Sequence, residues 1–280
     1  MNIQNIDPVV QDPTETDTDH PCSLEHVLIS VEDDPMFGVL YKPMGKGPHP
    51  TVILLHGFPG HERNFDIAHC LRRSGFNVLI FHYRGAWGSH GDFSFSNMLK
   101  DTEASLGFLR NNSMALGVDK DRILLIGHSM GGWAAMMIGS QDEEVRMVGS
   151  LAGFNLGITK IWIMESMLNR SFIEASFQRL SEPFKGCTPE GLVEEVIENG
   201  EEWDLLSKGR VLSGKNLLMV GAKRDDVAWP AYHFDALVST LRDHQSSSLA
   251  ALMLDTDHNF SDKRIALSRT ILGWCSGIQL

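Results

Sequence analysis

The pentapeptide Gly127-His128-Ser129-Met130-Gly131 places a serine between two glycines, a spacing that could make Ser129 a nucleophile. The apolar run RILLI precedes it and predicts a buried strand, whereas MGGWAAMMIGS, which follows, begins a predicted helix. Glycines permit the sharp turn that exposes a serine hydroxyl at a helix N-terminus, where the helix dipole favours developing negative charge. Glycine is frequent here, at 26 of 280 residues, so the pentapeptide can occur by chance. It indicates a nucleophile only if the chain also supplies the other residues that such a serine needs.

A nucleophilic serine needs a base and a group that orients the base. Of the 12 histidines, His258 lies in the loop after the last predicted strand, LAALMLD, and is the best candidate. His128 lies inside the turn itself, where its side chain is predicted to point away from Ser129. The loop after the preceding predicted strand, NLLMVGA, supplies two candidate acids, Asp225 and Asp226.

The negative charge that forms when a serine attacks a carbonyl group needs backbone N–H donors. The segment HGFPG, residues 56–60, directly follows the apolar run TVILL. Its glycines predict a tight turn in which the Phe58 amide is free to donate. We therefore predict an oxyanion hole formed by the backbone amides of Phe58 and of Met130, the residue after the proposed nucleophile.

Alternating strand and helix patterns predict the elements that position these residues. From TVILL onward, short apolar runs alternate with helical patterns, which is typical of a mostly parallel sheet covered by helices on both faces. Before it, HVLISVEDDPMFGVLYKP predicts two antiparallel strands around an acidic turn. The core is predicted to comprise residues 23–154 and 213–280, and the polar residues 1–22 are predicted to form a flexible N-terminal arm.

The alternation is interrupted at residues 155–212, which carry only helical patterns and predict a small helical cap inserted into the core. One helix in this insertion has clear end signals. Thr188 is placed to cap its N-terminus, Pro189 occupies the first helical position, and Gly200 is predicted to end it.

The chain resembles the α/β-hydrolases. HGFPG, YRGAWGSHG, GHSMGG, RDDV and DHNF occur in that family's order, and VDKDRILLIGHSMGG resembles its prolyl-oligopeptidase and dienelactone-hydrolase branch. The resemblance implies the α/β-hydrolase fold and the triad order Ser129, Asp225, His258. It favours Asp225 over Asp226 because the first acidic residue of such turns is the catalytic one, although this turn is one residue longer than that pattern.

Composition restricts the classes of partner. With a net charge of −12 and no long apolar run, the chain is predicted to bind no nucleic acid and to insert into no membrane. Four widely spaced cysteines and the absence of a basic leader predict free thiols and a cytoplasmic protein. The sequence leaves the formation of homo-oligomers open.

Several further residues are candidates for the pocket or for a cofactor site. Trp87, on the loop after the second predicted strand of the parallel sheet, and Trp162 and Met164, on the cap, could line a substrate pocket, although packing alone would also explain them. The histidines of HGFPGHE lack the spacing of zinc ligands, and the glycines form no nucleotide-binding pattern. We predict neither a metal nor a cofactor.

The favoured function is therefore a serine hydrolase that cleaves small to medium carboxylic esters through an acyl-enzyme. No glutamate pair placed to hold a peptide amino terminus is evident in the sequence, which favours an ester over a peptide. Two alternatives stay open: a peptidase or amidase with the same triad, and a non-catalytic ligand receptor on the same fold.

Overall fold

A central sheet of eight strands organises the computed structural model, which describes residues 6–277. The sheet order is β1-β2-β4-β3-β5-β6-β7-β8. The first two strands pair antiparallel, β2 pairs antiparallel with β4, and all other pairs are parallel. The strands are β1 Ser23–Val31, β2 Asp34–Lys42, β3 His49–Leu55, β4 Asn77–Phe81, β5 Val118–His128, β6 Met147–Leu151, β7 Asn216–Ala222 and β8 Leu249–Leu254.

Helices connect the parallel strands. They are α1 Phe65–Arg73, α2 Phe95–Asn111, α3 Ser113–Leu116, α4 Met130–Gln141, α5 Leu156–Met164, α6 Arg170–Leu180, α7 Pro189–Trp203, α8 Gly209–Leu212, α9 Ala236–Asp243 and α10 Arg264–Cys275. A 3-10 turn, Leu205–Lys208, precedes α8, and a π-helical turn, Ala231–Asp235, precedes α9. Within residues 6–277, no helix has the length and hydrophobicity needed to span a membrane.

Both faces of the sheet are buried, which explains why its strands appear as continuous apolar runs in the sequence. In β3, Ile53 and Leu55 belong to one hydrophobic cluster, whereas Val52 and Leu54 belong to another on the opposite face. Alternate residues of a strand point to opposite faces, so each face needs its own apolar cover. The predicted mostly parallel sheet with helices on both faces is confirmed, as is the antiparallel pair at its edge.

All helices between β6 and β7 lie in the predicted cap. The side chain of Thr188 accepts a hydrogen bond from the Gly191 N–H at 3.0 Å, which caps the N-terminus of α7 as predicted. The predicted end at Gly200 is wrong, because α7 continues to Trp203. Gly200 instead permits close packing: a Cβ there would lie 2.4 Å from the Cβ of Lys160 on α5.

Two arginines bind the first described residues to the core. Arg73 Nε of α1 donates to the Pro8 carbonyl at 2.6 Å, and Arg269 Nη2 of α10 donates to Asp7 Oδ2 at 2.9 Å. The structure thus gives this part of the predicted arm defined contacts with two helices. Residues 1–5 of the arm and residues 278–280 of the predicted core lie outside the described residues. Mobility of the arm stays a prediction.

Candidate active site

Ser129 lies at the sharp turn between β5 and α4. Its φ of 55° and ψ of −121° are a conformation that L-residues rarely adopt. Adjacent glycines make the turn sterically feasible, since a Cβ at Gly127 would lie 2.0 Å from the Gly131 carbonyl oxygen and a Cβ at Gly131 would lie 2.3 Å from the Leu55 carbonyl oxygen. The structure therefore shows the strained strand–turn–helix geometry that the sequence predicts for a nucleophile elbow.

Asp225 and His258 form a buried pair at the ends of β7 and β8. His258 Nδ1 donates to Asp225 Oδ2 at 2.8 Å. The other carboxylate oxygen, Oδ1, accepts from the backbone N–H groups of Val227 and Ala228 at 2.9 and 2.7 Å. Asp226, the alternative acid, is exposed to solvent. In the structure it is therefore Asp225 that contacts the proposed base.

The parallel sheet brings the three candidate residues to one edge. Ser129 follows β5, Asp225 follows β7 and His258 follows β8, and the carboxyl ends of parallel strands share an edge of the sheet. Among the described hydrogen bonds, none joins Ser129 Oγ to His258. Such bonds are often long in hydrolases without substrate.

His128 has a structural contact that sequence reasoning missed. Its Nε2–H donates to the His258 carbonyl oxygen at 2.8 Å, and the two rings lie 4.9 Å apart. The residue beside Ser129 thus anchors the backbone of the loop that carries His258. Its position in the pentapeptide was visible in the sequence, but a contact across 130 residues was not.

Phe58 and Met130 carry the predicted oxyanion donors. A Cβ at Gly57 would lie 3.0 Å from Ser129 Cβ, so the backbone just before Phe58 lies against Ser129. Neither the Phe58 amide nor the Met130 amide has a hydrogen-bond acceptor among the described residues. Two free amides beside Ser129 have the character that an oxyanion hole requires.

Aromatic rings from the core and the cap hold the Phe58 side chain. It stacks on Phe184, with ring centroids 4.6 Å apart and planes 7° apart. Phe177 meets it edge-on at 5.6 Å, and Phe93 and Phe95 lie at 5.9 and 6.3 Å. Phe177 and Phe184 belong to the cap, so the cap packs directly against the predicted oxyanion loop.

The Trp87 side chain contacts Pro59 and Arg63 in the neighbouring loop. Its indole N–H donates to the Pro59 carbonyl at 2.7 Å, and the Arg63 guanidinium lies 4.2 Å from the ring centroid. The same loop begins at a buried ion pair, in which Arg84 Nε donates to Asp101 Oδ1 at 2.6 Å. The hydrogen bond from Trp87 to Pro59 holds the Trp87 ring against the predicted oxyanion loop, and a role of Trp87 in binding substrate stays a prediction.

The two cap candidates differ in exposure. Trp162 is buried against Trp229, Tyr232 and His233, with ring centroids 5.3–5.5 Å away. Met164 is 67% exposed at the end of α5. The structure therefore packs Trp162 against His233 and leaves Met164 largely exposed, and the pocket roles of both stay predictions.

Comparisons with known sequences identify the family. The sequence model of the alpha/beta hydrolase family matches residues 52–262, a range that includes Phe58, Ser129, Met130, Asp225 and His258. The chain belongs to the alpha/beta hydrolase family.

Relatives and structural neighbours match different shares of this member of the alpha/beta hydrolase family. YfhR of Escherichia coli K12, an uncharacterised protein, is 31% identical over 130 residues, which are 44% of this chain and 45% of YfhR. The chain thus spans less than half the length of the curated relatives it matches.

Solved structures agree on the fold. Est1E of Butyrivibrio proteoclasticus, solved with ferulic acid, overlays with a TM-score of 0.65 at 16% identity, over 90% of this chain and 98% of Est1E. The acylaminoacyl peptidase of Pyrococcus horikoshii overlays with a TM-score of 0.65 at 18% identity, over 89% of this chain and 39% of the peptidase.

Three histidines are buried and have strongly lowered pKa values. Burial, which disfavours the charged ring, lowers the pKa of His56 to about 3, that of His128 to about 3 and that of His233 to about 4, from 6.5. All three rings are therefore neutral at neutral pH.

Within residues 6–277, no group of three or more His, Cys, Asp or Glu side chains is arranged to hold a metal ion.

These histidines make stability depend on pH. Above about pH 6.5 they are neutral in the folded and in the unfolded chain. As the pH falls below 6.5, only the unfolded chain takes up their protons, so stability is lost until the folded pKa values near 3 and 4 are reached. We expect these three histidines to lower the free energy of unfolding by about 3 kcal/mol between about pH 6.5 and about pH 5.5, about 1 kcal/mol for each. The partly buried His82, whose pKa burial lowers to about 4, is expected to add about 1 kcal/mol.

Urea unfolding at a series of pH values measures the slope of the free energy of unfolding against pH. His128→Gln keeps an amide donor for the His258 carbonyl. It is expected to remove about a third of the loss of unfolding free energy that the three buried histidines cause. His244→Gln, at an exposed position, is expected to leave the slope unchanged. An equal slope in wild type and His128→Gln would contradict the assignment of His128 as a neutral buried ring.

Proposed function

We propose that this chain is a serine hydrolase that cleaves small to medium carboxylic esters through an acyl-enzyme. The observation that carries the proposal is the combination of a strained Ser129 at the β5–α4 turn with a buried His258–Asp225 hydrogen bond at the same sheet edge. Free Phe58 and Met130 amides beside the serine support it.

In the proposed first half-reaction, Ser129 Oγ attacks the ester carbonyl carbon and its proton passes to His258 Nε2. Asp225 keeps the other proton of the ring on Nδ1, so that Nε2 presents a lone pair to the serine. The Phe58 and Met130 amides bind the oxyanion of the tetrahedral intermediate. When this intermediate collapses, the C–O bond breaks and His258 delivers its proton to the leaving alcohol.

In the second half-reaction, a water molecule attacks the acyl-enzyme carbonyl and its proton passes to His258 Nε2. The second tetrahedral intermediate breaks the bond to Ser129 Oγ, which regains a proton from His258 and releases the carboxylic acid. The same three side chains therefore complete both halves without another titratable group.

An ester substrate is favoured over a peptide by the structural neighbours. The chain overlays nearly all of Est1E, which binds ferulic acid, whereas it overlays 39% of the acylaminoacyl peptidase. The peptidase or amidase alternative uses the same triad, and the receptor alternative keeps the fold without turnover.

Stopped-flow kinetics with a matched p-nitrophenyl ester and p-nitroanilide of one acyl group test the proposal. We expect a burst of about one equivalent of p-nitrophenol followed by slower turnover, because an acyl-enzyme accumulates when deacylation limits the rate. Faster turnover of the anilide than of the ester would favour the amidase. Tight binding of esters by folded protein, with no burst and no turnover, would favour the receptor.

A further inference from the structure

A small cavity lies behind the proposed triad acid. Its volume is about 10 Å³, and its lining includes Asp225, Ser150 and His233. A cavity of roughly 10–15 Å³ can hold one water molecule if two to four polar groups bind it. The volume and the polar lining of this cavity therefore meet the requirements of a single internal water.

His233 brings a hydrogen-bond donor to this region. Its Nδ1 accepts the Asn155 backbone N–H at 3.0 Å, so the neutral ring carries its proton on Nε2. Asn155 does not line the cavity, and Phe154 and Trp162 lie against the ring at 4.3 and 5.3 Å. The buried Nε2–H has no acceptor among the described residues, although a buried donor of this kind normally has one.

Asp225 has acceptor capacity left for such a water. A carboxylate can accept about four hydrogen bonds, and the described contacts of Asp225 are those from Val227, Ala228 and His258. The hydroxyl of Ser150, also buried at the cavity, can donate or accept. A water here can thus accept from His233 and donate to Asp225.

We infer that one internal water links His233 Nε2–H to the Asp225 carboxylate, with Ser150 Oγ as a further partner, and that His233 is a positioning residue for the triad acid. This role rests on the proposed function. The water adds a hydrogen bond to those that the carboxylate receives from Val227, Ala228 and His258, and so helps to keep Asp225 Oδ2 aligned with His258 Nδ1.

Electrostatics agree with this arrangement. Burial lowers the pKa of His233 to about 4, which keeps the ring neutral, while the nearby Asp225 charge raises that pKa in part. The titratable side chains that influence the ring are Asp225 and His258. A neutral ring with its proton on Nε2 is the state that the water bridge needs.

Two substitutions separate the two hydrogen bonds of His233. His233→Asn places an amide oxygen near Nδ1 and keeps the acceptor for Asn155, but it loses the donor at Nε2. His233→Gln places an amide N–H near Nε2 and keeps the donor, but it loses the acceptor for Asn155. We expect His233→Asn to lower kcat on the ester about tenfold with little change in KM, because the carboxylate loses a charge-assisted hydrogen bond. His233→Gln is expected to recover most of kcat.

The opposite ranking, or an equal loss in both variants, would overturn the positioning role. Wild-type turnover in the same experiment separates failure of this inference from failure of the proposed function. A crystal structure of the wild type gives a readout that depends on neither folding of the variants nor activity. A water within hydrogen-bond distance of both His233 Nε2 and the Asp225 carboxylate is expected, and well-defined density without one would overturn the inference.

Discussion

Replacing Ser129 with alanine is expected to lower kcat on an ester by a factor on the order of a million, because no other group on the sheet edge replaces the nucleophile. His258 and Asp225 retain their hydrogen bond in this variant, so the fold and the base persist while covalent catalysis is lost. Residual activity would come from the oxyanion hole and from substrate binding alone. Steady-state kinetics at saturating ester measure the change.

Ser140→Ala is a matched control for that substitution. Ser140 lies on the same helix, α4, and its hydroxyl donates to the Met137 carbonyl at 2.7 Å, away from the turn. We expect its kcat to stay within about twofold of wild type, as for substitutions that remove a single local hydrogen bond. Full activity of Ser129→Ala beside an equally active Ser140→Ala would exclude Ser129 as the nucleophile.

Asp225→Asn is expected to lower kcat about ten-thousandfold, the second largest effect. An asparagine keeps an oxygen for the Val227 and Ala228 amides, and these contacts direct its NH2 group toward His258 Nδ1. Because this NH2 group can only donate, the ring must place its proton on Nε2. His258 then has no lone pair for the Ser129 proton, although the geometry of the site is almost unchanged.

Asp226→Asn is the control, since Asp226 is the exposed neighbour in the same loop. Its kcat is expected to stay within about twofold of wild type, and thermal unfolding checks that both variants are folded. A large loss in Asp226→Asn with an active Asp225→Asn would reverse the assignment of the acid.

Local patterns made much of the fold and the sharp turn at Ser129 predictable. The buried runs of β3 and β5 and the glycines around Ser129 act over a few residues, so a strand, a tight turn and a helix follow from the sequence alone. The choice between Asp225 and Asp226 was harder because the backbone conformation of the loop after β7 decides which side chain faces His258. Two adjacent aspartates in a sequence do not reveal that conformation. The hydrogen bond to His258 favours the first.

Contacts between distant segments could not be predicted in the same way. His128 binds the His258 carbonyl, and His233, on the π-helical turn that precedes α9, lines the same cavity as Asp225. The Gly200 prediction was wrong for a related reason: a glycine inside α7 serves packing against α5 rather than helix termination. Periodicity describes one segment at a time and contains no information about its neighbours in space.

Intact-protein mass spectrometry after reaction with a fluorophosphonate tests the central claim, an activated nucleophile at Ser129, most directly. We expect folded wild type to gain one phosphonyl adduct, Ser140→Ala to gain the same adduct, and Ser129→Ala to gain none. An adduct that persists in Ser129→Ala, or folded wild type that gains none, would contradict the account.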